Sequence, residues 1–200
     1  MHPSPAFRWE DRAALQDFAH TIGFGVLFAQ TPEGPRVAHV PFVVTQENSF
    51  AIHLARSNAL ARHLDGATAL LVVTGPDGYV SPDHYGIPDQ VPTWNYVAAE
   101  FEGQIARLDE AALLAQIDAL SAQEEARLAP KRPWTRAKAN PAVIDKLLAG
   151  IWGFELHVTQ WRGTAKLSQN KPEDVRLRTA DALEAEGKTA LAHLMRILPA

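Results

Sequence analysis

The chain has 200 residues, of which 46% are hydrophobic and 21% charged, and its formal net charge is -4 at pH 7. This composition indicates a folded protein with a sizeable core, and the acidic balance disfavours nucleic-acid binding over the whole surface. The sequence contains no cysteine, which excludes disulfides, thiolate metal sites and a cysteine nucleophile. The histidines are scattered without ligand spacing, so no metal site is predicted.

The N-terminal segment carries charges and prolines where a signal peptide would need an apolar stretch. The longest strongly apolar run, Thr68–Thr74, is too short to span a membrane. We therefore expect a cytoplasmic protein without membrane contact.

The first half of the chain has the pattern of strands and turns. Asp11 predicts the N-cap of a short helix, and Asn58–Leu64 predicts a helix of two turns with Asn58 as its N-cap. The residues Val91–Leu108 are enough for one bent strand or two strands, with Gly103 at the bend. Four further strands are predicted from short apolar runs bounded by turn residues: Ile22–Gln30, Val37–Thr45, Phe50–Leu54 and Ala67–Thr74.

From residue 109 to residue 150 the hydrophobic period becomes helical, which predicts a helical insert. The spacing of Ser121 and Glu124 is that of a capping box and predicts that a second helix begins there. Pro141 is expected to open a further helix and Gly150 to close it. The apolar stripe of the first helix is Leu113, Leu114, Ile117 and Leu120.

The last part of the chain is predicted to hold a hairpin followed by helices. Ile151–Thr159 alternates like a strand and is expected to pair with Thr164–Gln169 across a turn at Gly163. Two C-terminal helices are predicted over about residues 179–198. We therefore predict a single α+β domain over residues 1–200, with a barrel-like antiparallel sheet of about six strands.

Arg56, Ser57 and Asn58 stand between a predicted strand and a predicted helix. A guanidinium, a hydroxyl and the free N–H groups of a helix N-terminus together suit a phosphate group. The alternative is that Ser57 or Asn58 only caps the helix and Arg56 is a surface charge.

Thr93, Trp94, Asn95 and Tyr96 place two aromatic residues around an amide in a predicted strand. A flat conjugated ligand could stack on the aromatic rings and hydrogen-bond to Asn95. The alternative is an aromatic plug in the core, with Asn95 in a turn.

Polar side chains also accumulate at the predicted end of the last strand, in the segment Lys166, Ser168, Gln169 and Asn170. These donors suit an anionic or heteroaromatic ligand. The default interpretation is that they are polar residues that follow a strand and contact only solvent.

A basic segment without acidic residues surrounds Trp134 within the insert. It could engage a phosphate backbone, with Trp134 as a stacking residue, or it could be a solvated part of the insert. Its cations are Arg127, Lys131, Arg132, Arg136 and Lys138.

Taken together, the segments resemble the PaiB-type family, which is labelled FMN-binding negative transcriptional regulators. The resemblance runs from about Phe7 to the C-terminal helices. It depends on FGVLF, HVPF, HLARSN, GPDGYVSPDHY, VPTWNY, PW, GFEL and KLSQN, of which PTWNY and KLSQN are the most specific.

The resemblance implies the FMN-binding split barrel as the fold, and a homodimer with FMN at the subunit interface. It assigns the phosphate to Arg56, Ser57 and Asn58. The segments 93–96 and 166–170 are expected around the flavin ring. The resemblance also implies a transcriptional regulator, with DNA contacts expected from the basic segment.

The sequence departs from the family pattern at two positions. Glu100 stands where the family commonly has a histidine. Ala59 stands where the family usually has a proline, directly after the segment Ala55–Asn58. A carboxylate in place of an imidazole changes the charge and the ligation near a flavin or haem pocket.

Two alternatives to the regulator are a flavin-dependent oxidoreductase, and haem binding or degradation. The oxidoreductase would use His39, His84 or Tyr85 as proton donor. The haem protein would need His39, His53 or His84 as axial ligand.

Overall fold

The computed structural model describes residues 2–46 and 48–198. The described residues form seven strands and six α-helices. The strands are β1 (Arg8–Trp9), β2 (Phe24–Thr31), β3 (Gly34–Gln46), β4 (Ser49–Ala55), β5 (Thr68–Val80), β6 (Thr93–Arg107) and β7 (Ile151–Lys166). The helices are α1 (Arg12–Ile22), α2 (Pro82–Tyr85), α3 (Glu110–Ala126), α4 (Pro141–Leu148), α5 (Glu173–Ala185) and α6 (Thr189–Ile197).

The strands form one antiparallel sheet in the order β1-β7-β4-β3-β2-β5-β6, and β7 also pairs with β6. Six strands therefore form a closed ring of pairings, and the two-residue strand β1 is added at β7. The prediction of an α+β split barrel with a helical insert and C-terminal helices is confirmed. Among the described residues, no helix is long and apolar enough to cross a membrane.

The described residues fall into two compact units, each made of segments that are distant in sequence. Unit 1 contains residues 2–19, 73–100 and 161–198, and unit 2 contains residues 20–46, 48–72 and 101–160. Each unit is described by itself below. The single domain over residues 1–200 stays a prediction.

The core of unit 2 is aromatic. The ring of Phe50 lies 5.4 Å from that of Phe42 and 4.7 Å from that of Phe101, centroid to centroid. The strands alternate buried and outward-facing residues, as in β2, where Leu27 is buried and Phe28 is exposed. Gly103 lets β6 approach β7 closely, because a Cβ at this residue would lie 1.9 Å from the carbonyl oxygen of His157.

The core of unit 1 is formed by helix α1, the C-terminal helices and the strand ends. Asp11 caps α1, since its carboxylate accepts a hydrogen bond of 3.0 Å from the backbone N–H of Ala14. Leu15 of α1, Leu183 of α5 and Met195 of α6 are completely buried, so the C-terminal helices are packing helices.

The predicted hairpin around Gly163 is wrong, because β7 is one continuous strand of 16 residues. Gly163 is needed for a close approach rather than for a turn. It pairs with Trp9 in β1, and a Cβ there would lie 2.5 Å from the carbonyl oxygen of Trp9 and 2.6 Å from Leu15.

Two helix predictions are also wrong. The segment 58–64 forms turns and a 3₁₀ helix of three residues, Ala61–His63, because the Asn58 side chain accepts from the N–H of Leu60 in a local turn. The capping box at Ser121 does not start a helix, since α3 continues through it to Ala126 without a glycine or proline to break it. The helix α5 begins at Glu173, six residues before its predicted start.

Candidate functional site

The structure brings two predicted ligand segments together in unit 1. The Lys166 ammonium donates a hydrogen bond to the Thr93 hydroxyl and lies 5.7 Å from the centroid of the Phe7 ring. Lys166 is half-buried, and burial lowers the pKa of its ammonium because desolvation penalises the charged form. A cation held in this way interacts strongly with an anionic or hydrogen-bond-accepting ligand.

Asn95 and Ser168 form the buried part of the same cluster. The Asn95 side chain is 1% exposed, and its Nδ2 donates a hydrogen bond of 2.9 Å to the Ser168 hydroxyl. The Asn95 Oδ1 is buried and has no hydrogen-bond partner. Such an acceptor costs about 1–3 kcal/mol, which is unusual in a site that serves only the fold. Asn95 lies within strand β6, so the alternative that it lies in a turn is wrong.

The backbone around Ser168 is shaped to hold this cluster. Ser168 has φ +61°, a left-handed conformation that costs a non-glycine residue roughly 1–2 kcal/mol. The neighbouring Gln169 fixes the segment, since its Oε1 accepts from the N–H of Leu167 at 2.7 Å and its Nε2 donates to the carbonyl of Ala6 at 3.1 Å. Strain of this kind is typical of binding sites, where other interactions offset its cost.

Tyr85, which ends α2, extends the cluster. Burial raises the pKa of the Tyr85 hydroxyl, and a hydrogen bond with Ser168 partly opposes that shift. The Lys171 ammonium lies 4.8 Å from the centroid of the Tyr85 ring. Sequence reasoning named Tyr85 only as a proton donor and gave Lys171 no role, although Lys171 directly follows the KLSQN segment.

The remaining residues of these segments face outward. The Trp94 side chain is 49% exposed, and its Nε1 donates a hydrogen bond of 2.9 Å to Asp77. Tyr96 is half-buried and Asn170 is exposed. Trp94 is therefore a surface platform, and the alternative of an aromatic core plug is wrong for this residue.

The predicted phosphate residues lie in unit 2, after β4. Arg56 and Ser57 are exposed, and the Arg56 Nε donates a hydrogen bond of 3.2 Å to the carbonyl of Ile151. Asn58 is half-buried, and its Oδ1 accepts the Leu60 N–H. Because no α-helix follows, a helix N-terminus does not contribute here. The phosphate assignment therefore depends on side chains and turn N–H groups.

A cavity of about 500 Å³ lies beside Arg56, and two of its residues were missed by sequence reasoning. The Arg107 guanidinium lies 4.0 Å from the centroid of the Trp152 ring, and that of Arg56 lies 5.6 Å from it. Arg107 is the last residue of β6 and Trp152 is the second residue of β7, and neither lies in a segment whose composition indicates a ligand site. Only the pairing of β7 with β4 brings Trp152 and Arg56 together.

Most cations of the basic segment contact their own unit. Arg127 donates to the carbonyl of His20 at 2.8 Å, and Arg136 makes a two-pronged contact with Asp118 at 2.6 and 2.7 Å. Lys131 pairs with Glu125, and Lys138 donates to the carbonyl of Pro133 at 2.6 Å. The contact with Arg136 lowers the pKa of the Asp118 carboxyl. Arg132 is exposed.

Glu100 stands where the resemblance led us to expect a histidine, and the structure gives this carboxylate a partner. Its Oε2 accepts a hydrogen bond of 2.9 Å from Arg162 Nε within unit 1. In unit 2, the His53 ring contacts Gln116 at 3.2 Å, and burial lowers the pKa of this imidazole. No cluster of metal-binding side chains occurs in the described ranges 2–46 and 48–198.

Comparison with known proteins adds a family and a fold. The model of the family described as "Putative FMN-binding domain" matches residues 1–160. The protease synthase and sporulation protein PAI 2 of Bacillus subtilis is 25% identical over 190 residues, which cover 93% of this chain and 90% of that protein.

Two solved structures resemble the chain in fold. The FAD and heme binding protein from Mycobacterium smegmatis has a TM-score of 0.61 and 21% identity, over 85% of this chain and 78% of that one. A flavocytochrome from Azotobacter vinelandii has a TM-score of 0.58 and 14% identity, over 82% of this chain and 72% of that one.

Proposed function

Because the chain belongs to the FMN-binding family whose model matches residues 1–160, we propose that it binds FMN as a homodimer. The PaiB-type resemblance of its motifs is confirmed by this match and by the similarity to the Bacillus subtilis protein. The observation that carries the proposal is the cluster of Lys166, Thr93, Asn95 and Ser168, which combines a half-buried cation with a buried acceptor that has no partner.

The donor set fits a flavin. The ring system of FMN has carbonyl and nitrogen acceptors that suit the Lys166 ammonium and the Thr93 hydroxyl. Asn95 and Ser168 are buried, so in this proposal they position the cluster. Trp94 and Tyr96 offer aromatic surface next to it. Arg56, Ser57 and Asn58 are assigned separately to the phosphate.

The experiment is a titration of the flavin-free protein with FMN and with riboflavin, followed by flavin fluorescence. We expect Lys166→Met to weaken the binding of both ligands about tenfold or more, because a charge-assisted hydrogen bond contributes roughly 1.5–3 kcal/mol. The control is Lys146→Met, which removes an exposed lysine of α4. A wild-type protein that binds neither ligand would contradict the proposal, and equal effects of the two variants would contradict the role of Lys166.

The homodimer is supported by an apolar face of unit 2. Phe24, Phe28 and Val37 are 51%, 42% and 45% exposed, large fractions for side chains that cover one side of a sheet. Their neighbours on β2, β3 and β5 continue this outer sheet face, and His39 lies on it opposite Val26. Its apolar residues are Phe24, Val26, Phe28, Val37, Pro41, Leu70 and Val72. A contiguous apolar face of this kind marks an interaction surface, and a second copy would cover it in a symmetric dimer.

When bound, FMN supplies hydride and electron transfer, which is the basis of the oxidoreductase alternative. Among the proton donors named for it, Tyr85 is buried and His84 Nε2 lies 3.0 Å from Glu186. Anaerobic addition of NADH or NADPH to the FMN complex tests this alternative. Rapid bleaching of the flavin absorbance would favour an oxidoreductase over a regulator.

A second candidate function is transcriptional regulation, which the resemblance of the motifs to the PaiB-type family implies. DNA would have to displace the contacts of Arg127, Lys131, Arg136 and Lys138. We therefore expect at most weak and salt-dependent retardation of a promoter fragment. Tight binding at physiological salt that Arg132→Gln reduces would show instead that this segment reads DNA.

A further inference from the structure

The two guanidiniums beside Trp152 share an unusual environment in unit 2. The Arg107 guanidinium lies over the face of the Trp152 indole, and the Arg107 backbone N–H donates a hydrogen bond of 2.9 Å to the Asp65 carboxylate. The Arg56 guanidinium donates a hydrogen bond from its Nε to the carbonyl of Ile151. Both arginines are exposed, and both forks retain donors that an anion from solution could accept.

The indole is what fixes these cations. Its ring is held by strand pairing, since Trp152 lies opposite Leu54 of β4 and the Arg56 N–H donates to the carbonyl of Gly150 at 2.9 Å. A guanidinium stacked on an aromatic face loses less side-chain freedom when it binds an anion. The Trp152 Nε1 is buried and has no partner, so the indole acts through its face.

The cavity beside these residues has the size of a small-molecule site. Its volume of about 500 Å³ lies within the range of ligand pockets, and Leu108, Leu113 and Leu148 form apolar parts of its wall. Carboxylates line it as well. Asp109 caps α3 by accepting the N–H of Ala112 at 2.8 Å, and Asp109, Glu110 and Asp145 are all exposed. A bound anion is favoured at the arginine side of the cavity and disfavoured near these three acids.

We propose that Arg107, stacked on Trp152, is a second phosphate-binding residue for FMN and acts together with Arg56 at this cavity. The proposal rests on the FMN binding proposed above. It assigns Trp152 as a positioning residue, because the indole holds the guanidinium without touching the phosphate. It also makes the phosphate group the feature that distinguishes FMN from riboflavin at this site.

The test compares FMN with riboflavin, which lacks the phosphate, on the full-length protein. We expect Arg107→Gln to weaken FMN binding about 10- to 100-fold, because a charge-assisted contact is lost, and to leave riboflavin binding unchanged. Arg107→Lys should recover part of the affinity, since the charge remains but the stacked fork is lost. The ³¹P resonance of bound FMN should shift between the wild type and Arg107→Gln.

Two further variants separate this role from general effects. Arg132→Gln removes an exposed arginine of the same unit and should change neither affinity. Glu110→Gln should tighten FMN binding by about two- to fivefold, because it removes a negative charge from the cavity wall. Unchanged thermal unfolding of each variant shows that the fold is intact.

The outcomes distinguish the two proposals. Wild-type binding of FMN with equal affinities for Arg107→Gln and Arg132→Gln would overturn the inference and leave the proposed function standing. A loss of riboflavin binding in Arg107→Gln as large as that of FMN would also overturn it, because the residue would then not act on the phosphate. A wild-type protein that binds neither flavin would remove the proposed function and the inference with it.

Discussion

Replacement of Phe28 by serine should separate the proposed homodimer without unfolding the subunit. Phe28 is 42% exposed in the isolated chain and lies in the middle of the outer sheet face, opposite Val37 and Leu70 on the neighbouring strands. With about 200 Å² for a phenylalanine side chain, the exposed part is about 85 Å², which contributes about 2 kcal/mol when buried. A two-fold symmetric interface contains the residue twice, so the dimer should weaken by about 4 kcal/mol, or about a thousandfold.

Analytical ultracentrifugation over a range of concentrations measures this change. The control is Val91→Ser in unit 1, where the side chain is 74% exposed and lies outside the outer sheet face. It should leave the dimerisation constant unchanged. Because Phe28 is outward-facing, thermal unfolding measured on the monomer should change little. A dimer that is equally stable in both variants would refute the assignment of this face. A wild-type protein that is monomeric at high concentration would refute the homodimer itself.

Two other predictions concern stability. Gly103→Ala should lower the unfolding free energy by about 3 kcal/mol or more and the melting temperature by roughly 10 °C, because its Cβ would lie 1.9 Å from the backbone oxygen of His157. The control is Gly187→Ala, at φ +82° with nothing within 4 Å of its Cβ, which should cost only about 1–2 kcal/mol. Equal losses of unfolding free energy in the two variants would contradict the clash at Gly103. Burial lowers the pKa of His53 below its usual value, so the unfolded chain takes up the proton more readily and stability should fall as the pH decreases below about 6.5. Urea unfolding at pH 7.5 and 5.5 should show a smaller pH dependence in His53→Gln, and an equal dependence would refute this role.

Much of the fold could be predicted from the sequence because its patterns are local. Alternation of buried and exposed residues in β2 and β3, the cap at Asp11 and the prolines of the insert each report on their own neighbourhood. The errors occur where a strand that is distant in sequence determines the local conformation. Gly163 looks like a turn residue, but β1 passes so closely that only glycine fits in a continuous strand.

The candidate site shows the same division. Thr93 and Asn95 lie far from Lys166 and Ser168 in sequence, and only the family resemblance suggested that they belong to one site, before the structure showed their hydrogen bonds. Residues outside the motifs could not be found in this way. Arg107 ends an ordinary strand, and the role proposed for it depends on an indole 45 positions away in β7.

The departures of this chain from its family bear on the choice between flavin and haem. A histidine axial ligand offers a neutral imidazole nitrogen to haem iron, whereas Glu100 provides a carboxylate that already accepts a hydrogen bond from Arg162. His53 is engaged with Gln116 and His84 with Glu186. His39 is exposed, but its ring stacks on Phe24 at the outer sheet face, with 6.4 Å between the centroids. A flavin needs no axial imidazole, and the family model that matches this chain describes an FMN-binding domain. The carboxylate at Glu100 therefore counts against haem and not against FMN.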